Sequence, residues 1–256
     1  MQDPEYLNLS DERRIAYHKL RSEGDGSSLP GVVFLGGFRS DMTGTKAMYL
    51  QDWCAKRGRA FVRFDYRGHG ASSASFEDGC IGDWADDAYQ VLDQLTEGKQ
   101  ILVGSSMGGW IALLLARRVP ERIAGLIGIA AAPDFTEDSM WANFSEAQRA
   151  EVMAAGRIAL PSEYSVEPYV ITRRLIEDGR QNLVLHQPVE ISGPVRLLQG
   201  TADADVDRSV ALRLLDHIDA PDVRLTLVQG ADHRFSEPRE LALLGKTLHG
   251  ITQASG

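Results

Sequence analysis

The sequence predicts an α/β protein built on a mostly parallel, twisted sheet with helices on both faces. Short apolar runs alternate with longer amphipathic runs along most of the chain, which is typical of such a sheet. At 256 residues the chain can bury a large core without disulfides. It carries only two cysteines, Cys54 and Cys80. We therefore expect a single domain over residues 1–256.

In the first half of the chain, predicted strands and helices alternate after an N-terminal hairpin. YLNL and RIAYHKL flank SDER within residues 5–20, which is typical of antiparallel pairing. The predicted strands that follow cover residues 31–38, 59–68, 100–106 and 122–131. The predicted helices cover residues 46–56, 82–95 and 107–118, and the last of them ends before Pro120.

The alternation stops between Pro133 and Gly193, where no strand is evident and Met, Trp, Phe and Tyr are frequent. Ser145 and Gln148 have the spacing of a capping box, which predicts a helix ending near Gly156. A second helix is predicted over residues 169–178, and we expect the whole excursion, 133–193, to be a helical lid. The sheet pattern then resumes with strands at 194–200 and 223–230 and helices at 207–218 and 237–252.

Charge and hydropathy exclude several classes of partner. The net charge of −9 argues against nucleic acid or an anionic membrane as the main partner. No apolar run reaches the ~18–20 residues of a membrane-spanning helix. The N-terminal stretch MQDPEYLNLSDERR lacks the apolar region of a secretory signal. We expect a soluble, cytoplasmic protein with no membrane span, and the sequence predicts no oligomeric state.

The stretch GSSMGG follows the apolar run QILV and contains the pattern Gly-x-Ser-x-Gly, typical of a nucleophile on a sharp strand-to-helix turn. Only Ser106 has glycines two residues before and two residues after it, Gly104 and Gly108. The helix N-terminus behind Ser106 would favour negative charge on a reacting oxygen. A tight turn of small packing residues is the alternative, so the motif needs partners.

A nucleophilic serine needs a base, and on this type of fold the base follows the nucleophile in the chain. That order removes His18 and His69. His186 lies in the excursion, while His217 and His249 lie within predicted helices. His233 follows the strand VRLTLVQG at the carboxyl edge of the sheet, where catalytic groups collect, and is the predicted base.

Three aspartates compete to orient the base. Asp203 and Asp205 follow the strand PVRLLQ, and Asp134 follows GLIGIAA. The spacing Gly-x-x-Asp favours Asp203, because it puts the carboxylate at the turn above the sheet, but the other two remain open. Backbone N–H groups of Met107 and Phe38 are the predicted donors to an oxyanion.

Several stretches resemble a known family. GSSMGGW, FDYRGHGASS, GTADADV and GADHR, in this order, resemble the α/β-hydrolase superfamily of serine hydrolases over nearly the whole chain. GGFRSDMTGTKA, FVRFDYRGHGASS, QILVGSSMGGW, LIGIAAAPDF, PSEYS and PVRLLQG resemble its mitochondrial S-depalmitoylase and acyl-glucuronide esterase subfamily.

The resemblance implies the α/β-hydrolase fold, a triad on Ser106, Asp203 and His233, a helical lid at 133–193, and no metal or organic cofactor. Two departures from the family pattern are Gly36-Gly37, where many members have His-Gly, and Gln199, where a histidine is common. No mitochondrial targeting segment is evident.

The predicted function is hydrolysis of carboxylic esters or thioesters of acyl substrates through an acyl-enzyme. The substrate is a small-molecule acyl ester or thioester, with acylated protein cysteine as a further candidate. Apolar residues of the excursion are candidates for an acyl pocket or for packing of the lid: Met140, Trp141, Phe144, Met153 and Tyr169. The alternatives are a proline-type aminopeptidase and a non-catalytic binding protein on the same fold.

Overall fold

The computed structural model of this protein describes residues 3–10, 12–160 and 169–254. The strands are β1 Glu5–Asn8, β2 Arg14–Leu20, β3 Gly31–Leu35, β4 Phe61–Phe64, β5 Gln100–Ser105, β6 Ile123–Ile129, β7 Arg157–Leu160, β8 Tyr169–Thr172, β9 Val189–Glu190, β10 Val195–Gly200, β11 Ile218–Asp219 and β12 Val223–Val228. The α-helices are α1 Thr45–Ala55, α2 Ile81–Leu95, α3 Met107–Arg118, α4 Glu146–Ala155, α5 Arg173–Gln181, α6 Arg208–His217 and α7 Pro238–Ala254.

Eight strands form one sheet in the order β1-β2-β4-β3-β5-β6-β10-β12. The pairs β1–β2 and β2–β4 are antiparallel, and every other neighbouring pair in the sheet is parallel. All residues of β3, β5 and β6 are buried, as expected for parallel strands covered on both faces. One core layer packs α2 and α3 on the sheet, and the opposite layer packs α1 and α7.

The central strands all end at the same edge of the sheet, where their following loops meet. The loops after β3, β5, β6, β10 and β12 therefore converge, and these are the loops that carry the sequence-predicted functional residues. This convergence brings Ser106 and His233, which are 127 positions apart along the chain, within hydrogen-bond distance.

The excursion between β6 and β10 agrees with the sequence in its first helix. The Ser145 hydroxyl accepts the Gln148 N–H at 3.2 Å, and the Gln148 side chain accepts the Ser145 N–H at 2.9 Å. Gly156 ends α4 with a φ of 79°, a left-handed conformation that glycine adopts without a steric penalty. The predicted capping box is confirmed.

The rest of the excursion differs from the expectation that it holds no strand. β7 and β8 form an antiparallel pair, so the helix predicted over 169–178 begins instead at Arg173. The residues Tyr169, Val170, Ile171 and Thr172 are aromatic or β-branched, which favours a strand. Thr172 caps α5 by accepting the Leu175 N–H. The predicted lid role of residues 133–193 stays a prediction.

Candidate active site

Ser106 lies between β5 and α3 in a backbone conformation that side chains rarely adopt, with φ 54° and ψ −119°. Its N–H donates to Ile129 O at 2.9 Å, and its carbonyl accepts the N–H groups of Gly109 and Ala132. The surrounding strands and helix therefore hold a strained residue in place. This is the geometry of a serine lifted above the sheet on a sharp turn.

Glycines make this turn possible for steric reasons. A Cβ on Gly104 would lie 2.3 Å from Gly108 O, and a Cβ on Gly108 would lie 2.0 Å from Leu35 O. Both contacts are with backbone atoms, which cannot move aside as a flexible side chain can. At Gly109 a Cβ would lie 2.5 Å from the Cβ of Ala131, an atom that also cannot move without its backbone.

The three residues predicted as nucleophile, base and acid lie together. His233 Nε2 lies 3.1 Å from Ser106 Oγ, and His233 Nδ1 lies 3.1 Å and 3.0 Å from the two carboxylate oxygens of Asp203. A carboxylate only accepts hydrogen bonds, so Nδ1 carries a proton and Nε2 is free to accept the Ser106 hydroxyl proton. This arrangement supports removal of that proton during nucleophilic attack.

Asp203 has partners besides the imidazole ring. Its Oδ1 accepts the N–H groups of Asp205 and Val206, each at 2.9 Å, and its Oδ2 accepts the Gln199 side-chain N–H at 2.9 Å. Burial alone would raise the pKa of Asp203, but the hydrogen bonds from His233, Val206 and Asp205 outweigh it and leave that pKa below its ordinary value. The carboxylate is thus held in its charged form.

The rival aspartates have other contacts. Asp134 is fully buried, and its two oxygens accept the N–H groups of Val184 and Leu185, each at 2.9 Å. Asp205 is exposed and contributes its backbone N–H to Asp203. The His233 Nδ1 atom lies within hydrogen-bond distance of both carboxylate oxygens of Asp203, which makes Asp203 the best-placed of the three.

Asp203, Asp205 and His233 also form a possible metal-binding group, the one such group within the part of the chain that the structure describes. Their potential ligand atoms lie within 4.8 Å of one another. Asp203 and His233 are already hydrogen-bonded to each other. We therefore interpret the group as an acid–base pair with a neighbouring carboxylate.

The two predicted oxyanion donors are both available. Within the described residues, neither the Phe38 nor the Met107 N–H donates a hydrogen bond to another protein group. Gly37, just before Phe38, lies so close to Ser106 that a Cβ on Gly37 would be 3.5 Å from the Cβ of Ser106. Met107 is the first residue of α3, where N–H groups lack helical acceptors.

A cavity of about 1470 Å³ opens over Ser106 and His233. Three of the residues predicted to contact an acyl group line it: Met140, Trp141 and Tyr169. Phe144 and Met153 do not line it, because Phe144 is buried in the core and Met153 packs against that core. Phe38, Phe135 and Leu185 add apolar surface to the cavity wall.

The cavity also has charged lining that sequence reasoning missed. Lys46, in the first turn of α1, donates from Nζ to the carbonyl of Arg234, the residue after the candidate base. Burial lowers the pKa of Lys46 to about 8, although the charges of Asp232 and Glu240 oppose that shift. No local pattern predicts this contact, since 188 residues separate its ends.

Residues 32–167 match a protein-family model described as the alpha/beta hydrolase fold, more than half of the chain. The chain belongs to the α/β-hydrolase family. Together with the eight-stranded sheet, this confirms the predicted fold class and the predicted resemblance. The stretch PSEYS, part of that resemblance, lies outside the described residues.

Named relatives of this α/β-hydrolase match nearly its whole length. "Palmitoyl-protein thioesterase ABHD10, mitochondrial" of Mus musculus is 38% identical over 247 residues, covering 96% of this chain and 81% of the relative. The crystal structure named "Putative hydrolase from Agrobacterium vitis S4" is 42% identical with a TM-score of 0.92, covering 98% of this chain and 100% of that one. Alpha/beta hydrolase domain-containing protein 10 from mouse is 34% identical with a TM-score of 0.88, covering 98% and 99%.

These relatives confirm the prediction of an enzyme, a hydrolase of the ester and thioester class. The predicted cytoplasmic localisation is wrong: five relatives at 34 to 38% identity, the Mus musculus thioesterase among them, are named mitochondrial. The prediction depended on the lack of a secretory signal and on low cysteine content, and neither distinguishes one reducing compartment from another. Among the described residues, no helix has the length and apolarity needed to cross a membrane.

Proposed function

We propose that this α/β-hydrolase cleaves acyl thioesters or esters through a triad of Ser106, His233 and Asp203. The observation that carries the proposal is the chain of hydrogen bonds from Ser106 Oγ through the His233 ring to Asp203, with distances of 3.0–3.1 Å. Each contact has the geometry of its assigned role as nucleophile, base or orienting acid.

The reaction follows from these contacts. Ser106 Oγ attacks the acyl carbonyl carbon while His233 Nε2 takes the hydroxyl proton, and Asp203 stabilises the imidazolium. His233 then donates that proton to the departing sulfur or oxygen as its bond to the carbonyl carbon breaks. Water attacks the acyl-enzyme, His233 takes a proton from it, and returns this proton to Ser106 Oγ as the acid leaves.

The Phe38 and Met107 N–H groups are the proposed donors to the tetrahedral oxyanion. Phe38 lies on the loop after β3 and Met107 is the first residue of α3, and within the described residues both N–H groups are without a protein acceptor. Donors that are already oriented stabilise the developing negative charge without reorganisation, which is worth about 10²–10³ in kcat for one such donor.

The proposed substrate has a long apolar acyl group, and an acylated protein cysteine is one form of it. The cavity of about 1470 Å³ exceeds the roughly 300–1,000 Å³ typical of small-molecule pockets. Met140, Trp141 and Tyr169 give part of its wall an apolar surface. A mouse relative is named a palmitoyl-protein thioesterase, which is consistent with this substrate class. We further propose that residues 133–193 act as the lid of a single domain, since they supply these three side chains.

Labelling of the folded protein with a fluorophosphonate probe, followed by peptide mapping, tests the nucleophile. We expect one adduct on Ser106, its loss in Ser106→Ala and its retention in the matched control Ser105→Ala. A panel of p-nitrophenyl esters and acyl thioesters from two to sixteen carbons tests the substrate class. Lack of an adduct on Ser106 overturns the triad, and a kcat/KM that falls with acyl length overturns the apolar acyl site.

A further inference from the structure

The loop that presents Phe38 is a strained turn. Ser40 N–H donates to Gly37 O at 3.2 Å, which closes a four-residue turn over residues 37–40. Arg39, its third residue, has a φ of 57°, while Phe38 has no positive φ. These are the features of a type II turn, whose third position normally takes glycine or asparagine. An arginine there needs support from outside the turn to keep this conformation.

Ser40 supplies one support, at the peptide that carries the oxyanion donor. Its hydroxyl donates to Gly37 O at 2.8 Å, in addition to the bond from its N–H. In a trans peptide the carbonyl of Gly37 and the N–H of Phe38 point in opposite directions. Two donors that fix the carbonyl on one side therefore aim the Phe38 N–H to the other.

His69 supplies the second support, at the next peptide. Its Nε2 lies 3.3 Å from the Arg39 N–H, and its Nδ1 lies 3.1 Å from the carbonyl of Arg67. A carbonyl can only accept and an amide can only donate, so the ring is neutral with its proton on Nδ1. The Phe38–Arg39 peptide has opposite orientations in type I and type II turns, and a fixed acceptor for the Arg39 N–H favours the one observed.

The His69 ring is itself held rigidly. It is 3% exposed and makes edge contacts with the rings of Tyr66, Phe76 and Trp84, at centroid distances of 5.1–5.5 Å. Burial, followed by the nearby charge of Arg39, lowers the pKa of His69 to about 4. The ring therefore keeps Nε2 as an acceptor at neutral pH.

We infer that His69 and Ser40 are positioning residues that act on the reaction through the Phe38 N–H. This inference rests on the proposed function, because it takes Phe38 as an oxyanion donor. The donor matters only once negative charge develops on the carbonyl oxygen, so the two residues contribute to kcat and leave substrate binding nearly unchanged.

Two substitutions at position 69 separate this role from packing. His69→Phe keeps an aromatic ring among its three ring neighbours but removes both hydrogen bonds. His69→Gln is the matched variant, since its side-chain oxygen can reach the position of Nε2 and accept the Arg39 N–H. We expect kcat to fall about 10- to 100-fold in His69→Phe with KM within twofold of wild type. His69→Gln should restore most of the lost kcat.

A trifluoromethyl ketone inhibitor gives a second readout, because it forms a tetrahedral oxyanion on Ser106. We expect its affinity to weaken in His69→Phe by the same factor as kcat. A rise in KM as large as the fall in kcat would overturn the inference, and so would an unchanged inhibitor affinity. Should His69→Phe fail to fold, Ser40→Ala on the exposed side of the turn decides: we expect a 3- to 10-fold lower kcat, and an unchanged kcat refutes the role.

Labelling distinguishes a failure of the proposed function from a failure of the positioning role. Wild type that takes up no fluorophosphonate on Ser106 would refute the proposed function and this inference with it. Normal labelling of wild type, together with unaltered kcat and inhibitor affinity in His69→Phe, would refute the positioning role alone.

Discussion

Two loops at the carboxyl edge of the sheet each carry an aspartate, and they use it differently. Asp134 follows β6 and accepts the N–H groups of Val184 and Leu185, so it anchors the excursion to the sheet. Asp203 follows β10 and accepts from the His233 ring. Burial raises the pKa of Asp134 despite its two amide partners, whereas the pKa of Asp203 is lowered. Position at the carboxyl edge of the sheet therefore identifies candidate aspartates. The group that each carboxylate contacts determines whether that aspartate is structural or orients the His233 ring.

The largest expected effect tests the nucleophile that the Asp203 loop serves. Ser106→Ala should lower kcat by about 10⁶, because no other group can form the acyl-enzyme, and His233→Ala should be similar. Burst-phase and steady-state kinetics on an activated ester measure this. Residual activity within tenfold of wild type in purified Ser106→Ala would assign the chemistry elsewhere.

The next effect contrasts the two aspartates directly. Asp203→Asn should lower kcat by about 10⁴, because the amide no longer selects the tautomer with Nδ1 protonated. Asp134→Asn should instead lower the free energy of unfolding by about 2–3 kcal/mol, since its amide group leaves one buried N–H without an acceptor. Its kcat should stay within a few-fold of wild type.

Parallel kinetics and denaturant unfolding of both variants give the answer. The reverse pattern, with Asp134→Asn inactive and Asp203→Asn active, would transfer the orienting role to the loop after β6.

A smaller effect concerns the support of Asp203. The Gln199 side-chain N–H donates to Asp203 Oδ2 at 2.9 Å and to the carbonyl of Val206 at 3.1 Å. Gln199→Met keeps the length of this buried side chain and removes the donor, so kcat should fall about tenfold. Equal kcat in wild type and Gln199→Met would mean that Asp203 is oriented without Gln199. Gln199→Glu then shows whether a charge at this position affects kcat.

The last effect, which leaves kcat aside, is a change of stability with pH at the turn that presents Phe38. The pKa of His69 is lowered to about 4 by burial and by the charge of Arg39, whereas an unfolded histidine titrates near 6.5. The unfolded chain thus binds more protons as the pH falls below 6.5, and native stability is lost in that direction. Between pH 7.5 and 5, wild type should lose about 2 kcal/mol more than His69→Gln. Denaturant unfolding at several pH values measures the free energy of unfolding of both proteins. Profiles of wild type and His69→Gln that run parallel would contradict this expectation.

The sequence predicted the parts of the molecule that depend on local patterns. The alternation of apolar runs predicted the sheet, and the spacing of Ser145, Gln148 and Gly156 predicted α4. The positions of Ser106 and His233, each directly after a predicted strand and in that order along the chain, could also be identified without any knowledge of their contacts. Each of these signals is carried by short segments of sequence, and none of them requires a contact between distant residues.

Sequence reasoning failed where long-range contacts determine the structure. The four residues of β8 are too few to distinguish a strand from the start of a helix without their partner β7. Composition identified Phe144 and Trp141 alike as apolar, but only packing puts Trp141 on the cavity and Phe144 in the core. His69 was set aside as a base, and its contact with Arg39 across 30 residues could not be inferred from either segment.

The backbone of Ser106 has a consequence for the stability of the protein. At φ 54° and ψ −119° a glycine would fit without strain, so the residue best suited to folding at position 106 is not the one suited to chemistry. Ser106→Gly should therefore gain stability while it loses the proposed nucleophile. A serine at a position where glycine would fit better supports the proposed role of Ser106 as nucleophile.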